Sequence, residues 1–193
     1  QGMEAMDGPI NFGENDNFWG LLVDGFTPPA FGMPYNPPYY RPFFEAYGFG
    51  VYFEQITNHL DLKKPFPERF WRIAERIVAR EGFEFKHFDY ALVDKFVADA
   101  IEIHNDAWRF HESFSPLDKK QLLNFLNKAK PFLQPDLIWF AYYNGEPIAF
   151  LVMFPDVNQI LRHFNGDIGL WGKLKFWWLK RNHAMTRTRV TAL

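Results

Sequence analysis

The chain has 193 residues, 48% hydrophobic and 23% charged, with a formal net charge of −2. That length suits one large domain or two small ones, and the near-neutral charge gives no support for nucleic-acid binding, which needs a concentrated basic face. Cysteine is absent, which excludes disulfides, thiolate catalysis and cysteine–zinc sites; the composition fits a reducing compartment, so a cytoplasmic location is expected.

No apolar run approaches the roughly 18 residues that a membrane span requires. The opening QGMEAMDGP lacks the apolar core of a signal peptide. Aromatic residues are unusually frequent, at 20% of the chain. Rings at that density fill a core or an interdomain seam, or else line a ligand channel or partner surface.

Residues 8–13 (GPINFG) read as a short strand entering a turn. Residues 14–36 form a long loop punctuated by glycine and proline, of the kind that shapes a pocket edge. Pro37 to Tyr47 reads as a short helix, with Gly48 suited to its C-terminal cap and Pro42 as a difficulty in its interior. Residues 50–60 (GVYFEQITNHL) read as a strand, and 61–67 as a linker.

The clearest helix begins at Pro67 and Glu68 and stops at Gly82, with Phe70, Ile73, Ala74, Ile77 and Val78 at helical spacing. Phe83 to Phe88 alternates as a half-buried strand does. A second amphipathic helix spans 91–110, with Leu92, Phe96, Val97, Ala100, Ile103 and Ala107 on one side. A third begins at Ser115, with Asp118 completing a weak capping pattern. Leu137–Tyr143 and Pro147–Phe154 flank Asn144-Gly145, the strongest short hairpin signal. A loop or short helix follows at 156–164, then an aromatic-rich helix at 170–183 and a final strand at 189–193. The basic run from Lys173 to Arg189 is interleaved with tryptophan and reads as a helix covering a neighbouring element.

From residue 83 the order is strand, helix, helix, hairpin, excursion, strand. Two helices between a first strand and an antiparallel hairpin indicate an α+β (mixed α/β) fold. Before residue 62 the order is strand, loop, helix, strand. These partial orders complement one another. The helix ending YGF, followed by GVYFEQ, resembles the last helix and penultimate strand of the GNAT N-acetyltransferase superfamily. The blocks GPINFGENDNFWGLLVDGF, MPYNPPYY and FPDVNQIL resemble those of bacterial proteins that carry two GNAT-like units in tandem.

The resemblance implies a central, mostly antiparallel sheet flanked by helices and drawn from two partial units. Residues 1–62 would be the C-terminal half of a first unit, 63–82 a linker helix, and 83–193 the N-terminal half of a second. It also implies acetyl-CoA or another acyl-CoA as cofactor and a small-molecule amine as acceptor. The sequence departs from the family in two places. No glycine-rich phosphate turn opening a helix follows the strand Arg189–Leu193, and Gly166–Gly172 has the wrong spacing for one. The position of the usual general-acid tyrosine is Phe44, so that role is empty or moves to Tyr39, Tyr40 or Tyr47.

Asn17, Asp24, Asn36, Asp156 and Asn158 are candidates for holding an amine, since carboxylates and amides accept hydrogen bonds from ammonium. Their ordinary role is to cap turns and helices, as for the neighbouring Asn15 and Asp16. The backbone at Thr191, Ala192 and Leu193 is the candidate cofactor edge. His87, His104 and His111 lack the spacing of a metal set, so no metal is expected, and Glu112-Ser113 beside His111 resembles a catalytic triad only superficially.

The expected function is acyl transfer from coenzyme A to an amine, with little or no activity for this chain alone. The alternative is a non-catalytic binding or regulatory module on a degenerate GNAT scaffold, completed by homodimer formation through open strand edges at 8–12 and 189–193.

Overall fold

A computed structural model describes residues 2, 4–9, 20–110, 114–166, 169–182 and 188–192, with the side chains of 189–192 left aside. The chain forms two compact units: Gln1–Leu60 with Val157–His183, and Asp61–Asp156 with Ala184–Leu193.

The second unit is built on a four-stranded antiparallel sheet in the order β1 (Phe83–His87), β2 (Ile138–Tyr143), β3 (Glu146–Pro155) and β4 (Thr188–Ala192). Together with its helices this is the α+β class expected. Helix α2 (Glu68–Val78) precedes β1. Between β1 and β2 lie α3 (Val93–Trp108), entered through a short 3-10 turn, and α4 (Lys119–Ala129). Asp118 caps α4 by accepting a 2.8 Å hydrogen bond from the Gln121 amide, so the helix starts there and not at Ser115.

The sheet is buried on one face. Ile138, Phe140 and Tyr142 alternate along β2 and point into a cluster with Phe88, Phe96, Ile103 and Leu133. Phe150, Val152 and Phe154 of β3 pack against that cluster. Phe96 meets Phe140 with ring centroids 4.9 Å apart, and Phe88 at 5.5 Å. Each buried ring contributes several kcal/mol through area removed from water, of order 25 cal/mol per Å². Leu92, expected on the buried side of its helix, lies in the 3-10 turn before α3 and is exposed.

Asn144 and Gly145 join β2 to β3 with φ of 51° and 86°. Both angles are positive, as a two-residue hairpin turn matching strand twist requires. The register slips at the next pair: Ala141 faces Ala149 while Tyr142 faces Pro147, leaving Ile148 as the extra residue of a bulge. Pro147 is tolerated because β4 pairs only from Leu151 onward, so no ladder bond is lost on that side.

The first unit contains α1 (Tyr40–Tyr47), α5 (Asn158–Leu161) and α6 (Leu170–Asn182). Pro42 is the third residue of α1. Its missing N–H is among those that have no intrahelical partner, which removes the difficulty seen in the sequence. Gly48 closes α1 at φ 100°, and its amide and that of Phe49 bond to Glu45 and Phe44 carbonyls. Residues 50–60 are not the strand expected; the segment has no regular secondary structure and is exposed. Period-2 patterning makes a strand only where a neighbouring strand supplies ladder bonds, and none does so here among the described residues. The expected strand at 8–13 falls mostly on residues outside the described set.

Gly82 lies at the junction of α2 and β1 with φ +90°, and a Cβ there would approach Asn144 Oδ1 to 2.5 Å. Gly82→Ala is expected to lower stability by about 1–3 kcal/mol in denaturant titration, because both the backbone angle and the space forbid the methyl group. An unchanged midpoint would mean that this junction relaxes freely.

Candidate functional site

The second unit holds a polar network that the sequence reading did not single out. Tyr142, only 2% exposed, donates its hydroxyl proton to Asp99 Oδ2 at 2.6 Å. Lys95 Nζ donates to Asp99 Oδ2 at 2.5 Å and to the Tyr142 hydroxyl at 3.0 Å, and lies 4.4 Å from the centroid of the tyrosine ring. Lys86 of β1 approaches the same ring at 5.2 Å. Helix α3 places Lys95 and Asp99 one turn apart, and the bulge in β3 sits opposite Tyr142.

Two signals for this network were present in the sequence. Asp99 falls on the stripe that Phe96 and Ile103 define, where a carboxylate is stable only with partners. Tyr142 continues the inward alternation of Ile138 and Phe140. Burial pushes the Tyr142 phenol above its ordinary value, and the bond to Asp99 adds to that, while Lys95 opposes it. Burial pulls the Lys95 ammonium down, but Asp99 and Tyr142 together outweigh it and its pKa is raised. The tyrosine is therefore held protonated. This arrangement suits anchoring α3 to the sheet more than proton donation.

In the first unit, the loop before α1 is closed by Asn36. Its Oδ1 accepts from the Leu22 amide at 2.7 Å, and its Nδ2 donates to the Leu22 carbonyl at 3.1 Å and the Pro37 carbonyl at 3.1 Å. Asn36 is 9% exposed and so fully engaged as a cross-loop clamp. It does not cap α1, whose N-terminal residue Tyr39 makes no side-chain cap. Asn158 Nδ2 donates to the Pro29 carbonyl at 2.9 Å and ties α5 to the same loop. Asp24 is exposed on that loop.

Tyr39, Tyr40 and Tyr47 lie on or beside α1 and are exposed, Tyr47 at 82%. Tyr39 meets Tyr40 edge-on at 5.1 Å and Phe43 at 5.7 Å. Phe44 and Tyr47 instead pack on Phe49, at 5.4 and 6.1 Å. The structure therefore brings Asp24, Asn36, Asn158 and the tyrosines into one unit.

Asp156 belongs to the other unit, where it follows β3 and is 2% exposed. The residue at the N-terminal cap of α5 is Val157. Thr191 and Ala192 lie in β4, the last strand of the sheet order, with one edge paired to β3. Asn15, Asp16, Asn17, His111, Glu112, Ser113 and Leu193 lie outside the described residues. Among the described residues no group of side chains could hold a metal ion. His87 meets Trp139 with the ring planes tilted by 48°, and His104 stacks on Trp108.

Tyr142→Phe is expected to cost about 1–3 kcal/mol, because it leaves a buried carboxylate with one partner fewer. Both Lys95 and Tyr142 have raised folded-state pKa values, so their contribution is present below the ordinary values of 10.5 and 10.0 and is lost as pH rises through the folded ones. Melting temperature should therefore fall in alkali above about pH 10, and less steeply in Tyr142→Phe. Asn36→Leu is expected to cost about 1–3 kcal/mol by orphaning the Leu22 amide and carbonyl. Proteolysis at the 22–36 loop reads that loss directly.

No family model matches the sequence. Among the described residues no helix is long and apolar enough to cross a membrane. The chain is 24% identical over 200 residues to Protein YghO of Escherichia coli (strain K12), a match that covers 98% of the chain and 48% of that protein. It is 29% identical over 187 residues to a protein of Caulobacter vibrioides (strain NA1000 / CB15N) named bacterial ceramide synthase, covering 95% of the chain and 47% of the relative. The chain thus spans about half the length of the curated relatives it matches, and its similarity to them runs through both compact units.

Proposed function

We propose that this chain is part of an N-acyltransferase of GNAT-like architecture that transfers an acyl group from coenzyme A to an amine. The observation that carries this reading is the match, over 95% of this chain and 47% of the relative, to a protein named as a ceramide synthase. A ceramide is the amide of a fatty acid with a long-chain amino alcohol, so its synthesis joins an acyl carbon to an amine nitrogen. The strand order β1-β2-β3-β4, all antiparallel with two helices between the first pair, supports the same reading. It is the arrangement implied by the resemblance for the front half of a GNAT unit.

The reaction forms a C–N bond and breaks the thioester C–S bond, releasing a thiolate that must gain a proton. Coenzyme A supplies the activated acyl group. The outer edge of β4 offers backbone N–H and C=O groups that fit the amides of an extended pantetheine arm, at Thr191 and Ala192. No glycine-rich turn for the pyrophosphate lies among the described residues, so the fit covers the arm and not the phosphates. This reading assigns to Asp156, which follows the β3 end that pairs Pro155 with Thr188, the role of orienting an ammonium or accepting its proton. Tyr39, Tyr40 and Tyr47 are proton-donor candidates through the resemblance alone.

A second reading is a binding or regulatory module without catalysis. Phe44, which has no proton to give, favours it. The experiment that separates the two is incubation of the protein with a long-chain amino alcohol and either acetyl- or palmitoyl-CoA, read by mass spectrometry of the amide and by thermal unfolding. Amide formation with a saturable rise in melting temperature is expected, since a ligand of the folded state alone stabilises it by mass action. Of the variants Tyr39→Phe, Tyr40→Phe and Tyr47→Phe, the one that removes the proton donor would then lower kcat by about 100-fold or more. A saturable shift without amide would favour the binding module. Neither amide nor shift would overturn acyl transfer for this chain.

A further inference from the structure

Helix α2 has no buried residue along its whole length. Its side chains are nevertheless sorted by chemistry. Phe66, Phe70, Ile73 and Ile77 recur at spacings of four and three and share one face, with Trp71 and Val78 beside it. All but Phe66 are exposed, Ile73 at 43% and Trp71 at 58%. Arg69, Arg72 and Arg76 run along one flank of that face, and line with Ile73 an open depression of about 370 Å³. They form no salt bridge among the described residues. Glu68 and Glu75 project from the opposite side of the helix. Lys63 and Lys64 extend the positive charge just before it, and Arg80 just after it.

An apolar stripe facing solvent is ordinarily covered by another apolar surface. Here the flanking groups restrict what that cover can be. A protein partner would need an apolar ridge with a parallel row of acids. An anionic lipid surface supplies both features at once: an acyl layer for the rings and isoleucines, and phosphates for guanidiniums that reach upward along their own stems. The acids on the far side of the helix point away from that surface. The geometry points to α2 as an interfacial helix, with the Phe70–Ile73–Ile77 face entering the headgroup boundary of an anionic membrane and Arg69, Arg72 and Arg76 holding lipid phosphates. This docking is independent of the proposed chemistry, since a chain without acyltransferase activity would bind the vesicles equally well.

The test is sedimentation of the full chain with phosphatidylcholine vesicles, with and without phosphatidylglycerol. Binding to the anionic vesicles only, weakened by salt, is expected. The triple variant Arg69→Gln/Arg72→Gln/Arg76→Gln should partition about 100-fold more weakly, at roughly a fivefold factor per arginine. Ile73→Asp, a polar change at a solvated position, should lose vesicle binding while keeping the thermal unfolding of the parent. Trp71→Phe should abolish a part of any blue shift in tryptophan fluorescence on vesicle addition. The proposal fails if the parent chain ignores anionic vesicles at low salt, or binds neutral ones equally. It fails also if the arginine variant partitions unchanged, or if the same substitutions disrupt a dimer or an RNA complex of a chain that does not bind vesicles.

Discussion

The sheet of the second unit depends on two periodicities meeting. Strand β2 sends every second residue to one face, and α3 sends every third or fourth. Where they coincide, Phe96 meets Phe140 and Ile103 joins the same cluster. Asp99 falls at the one point where the helix stripe presents a charge to the strand stripe. Tyr142 and Lys95 neutralise it there. Without that contact α3 would carry an unpaired carboxylate into an apolar layer, which costs more than most single packing changes.

The first unit uses a different device. It has little regular structure to satisfy its backbone, so a side-chain amide substitutes for a ladder. Asn36 pairs with both polar groups of Leu22, as an opposite strand residue would, and so closes a loop rich in glycine and proline. The asparagine is an acceptor and a donor at once, which neither aspartate nor serine is at this geometry. Its role as clamp engages both amide protons, so it has none left to donate to a ligand.

Much of this was legible in the sequence because local chemistry decided it. Asn144-Gly145 has a backbone preference that matches the hairpin, and Gly48 and Asp118 have caps to fill. The helices around 68–78 and 93–108 follow from apolar spacing, and the one at 170–182 was read from a run rich in aromatic residues. The expected strand at 50–60 failed because alternation describes a surface and not a partner. Asn36 was legible as a polar residue near a helix start, but its partner is fourteen residues earlier and no local rule points there. The Lys95–Asp99–Tyr142 network was hidden for the same reason, since it joins a helix to a strand over more than forty residues. The candidate cofactor edge at β4 rested on resemblance, and its pairing to β3 is a matter of register that composition does not contain.

The hairpin β2–β3 is the only part of the sheet whose strands are neighbours in sequence. Both outer strands arrive after long detours: β1 is separated from β2 by two helices, and β4 from β3 by the segment that belongs to the other unit. Closing such loops costs chain entropy before any contact returns it. The hairpin closes the shortest loop of the sheet, and β1 closes the longest, since the stretch from 88 to 137 exceeds that from 156 to 187. β4 reaches its place only after the polypeptide has left the sheet, contributed α5 and α6 elsewhere and come back. β1 and β4 are the two edge strands, each held to the hairpin by a single ladder, and both dock at the cost of closing a long loop.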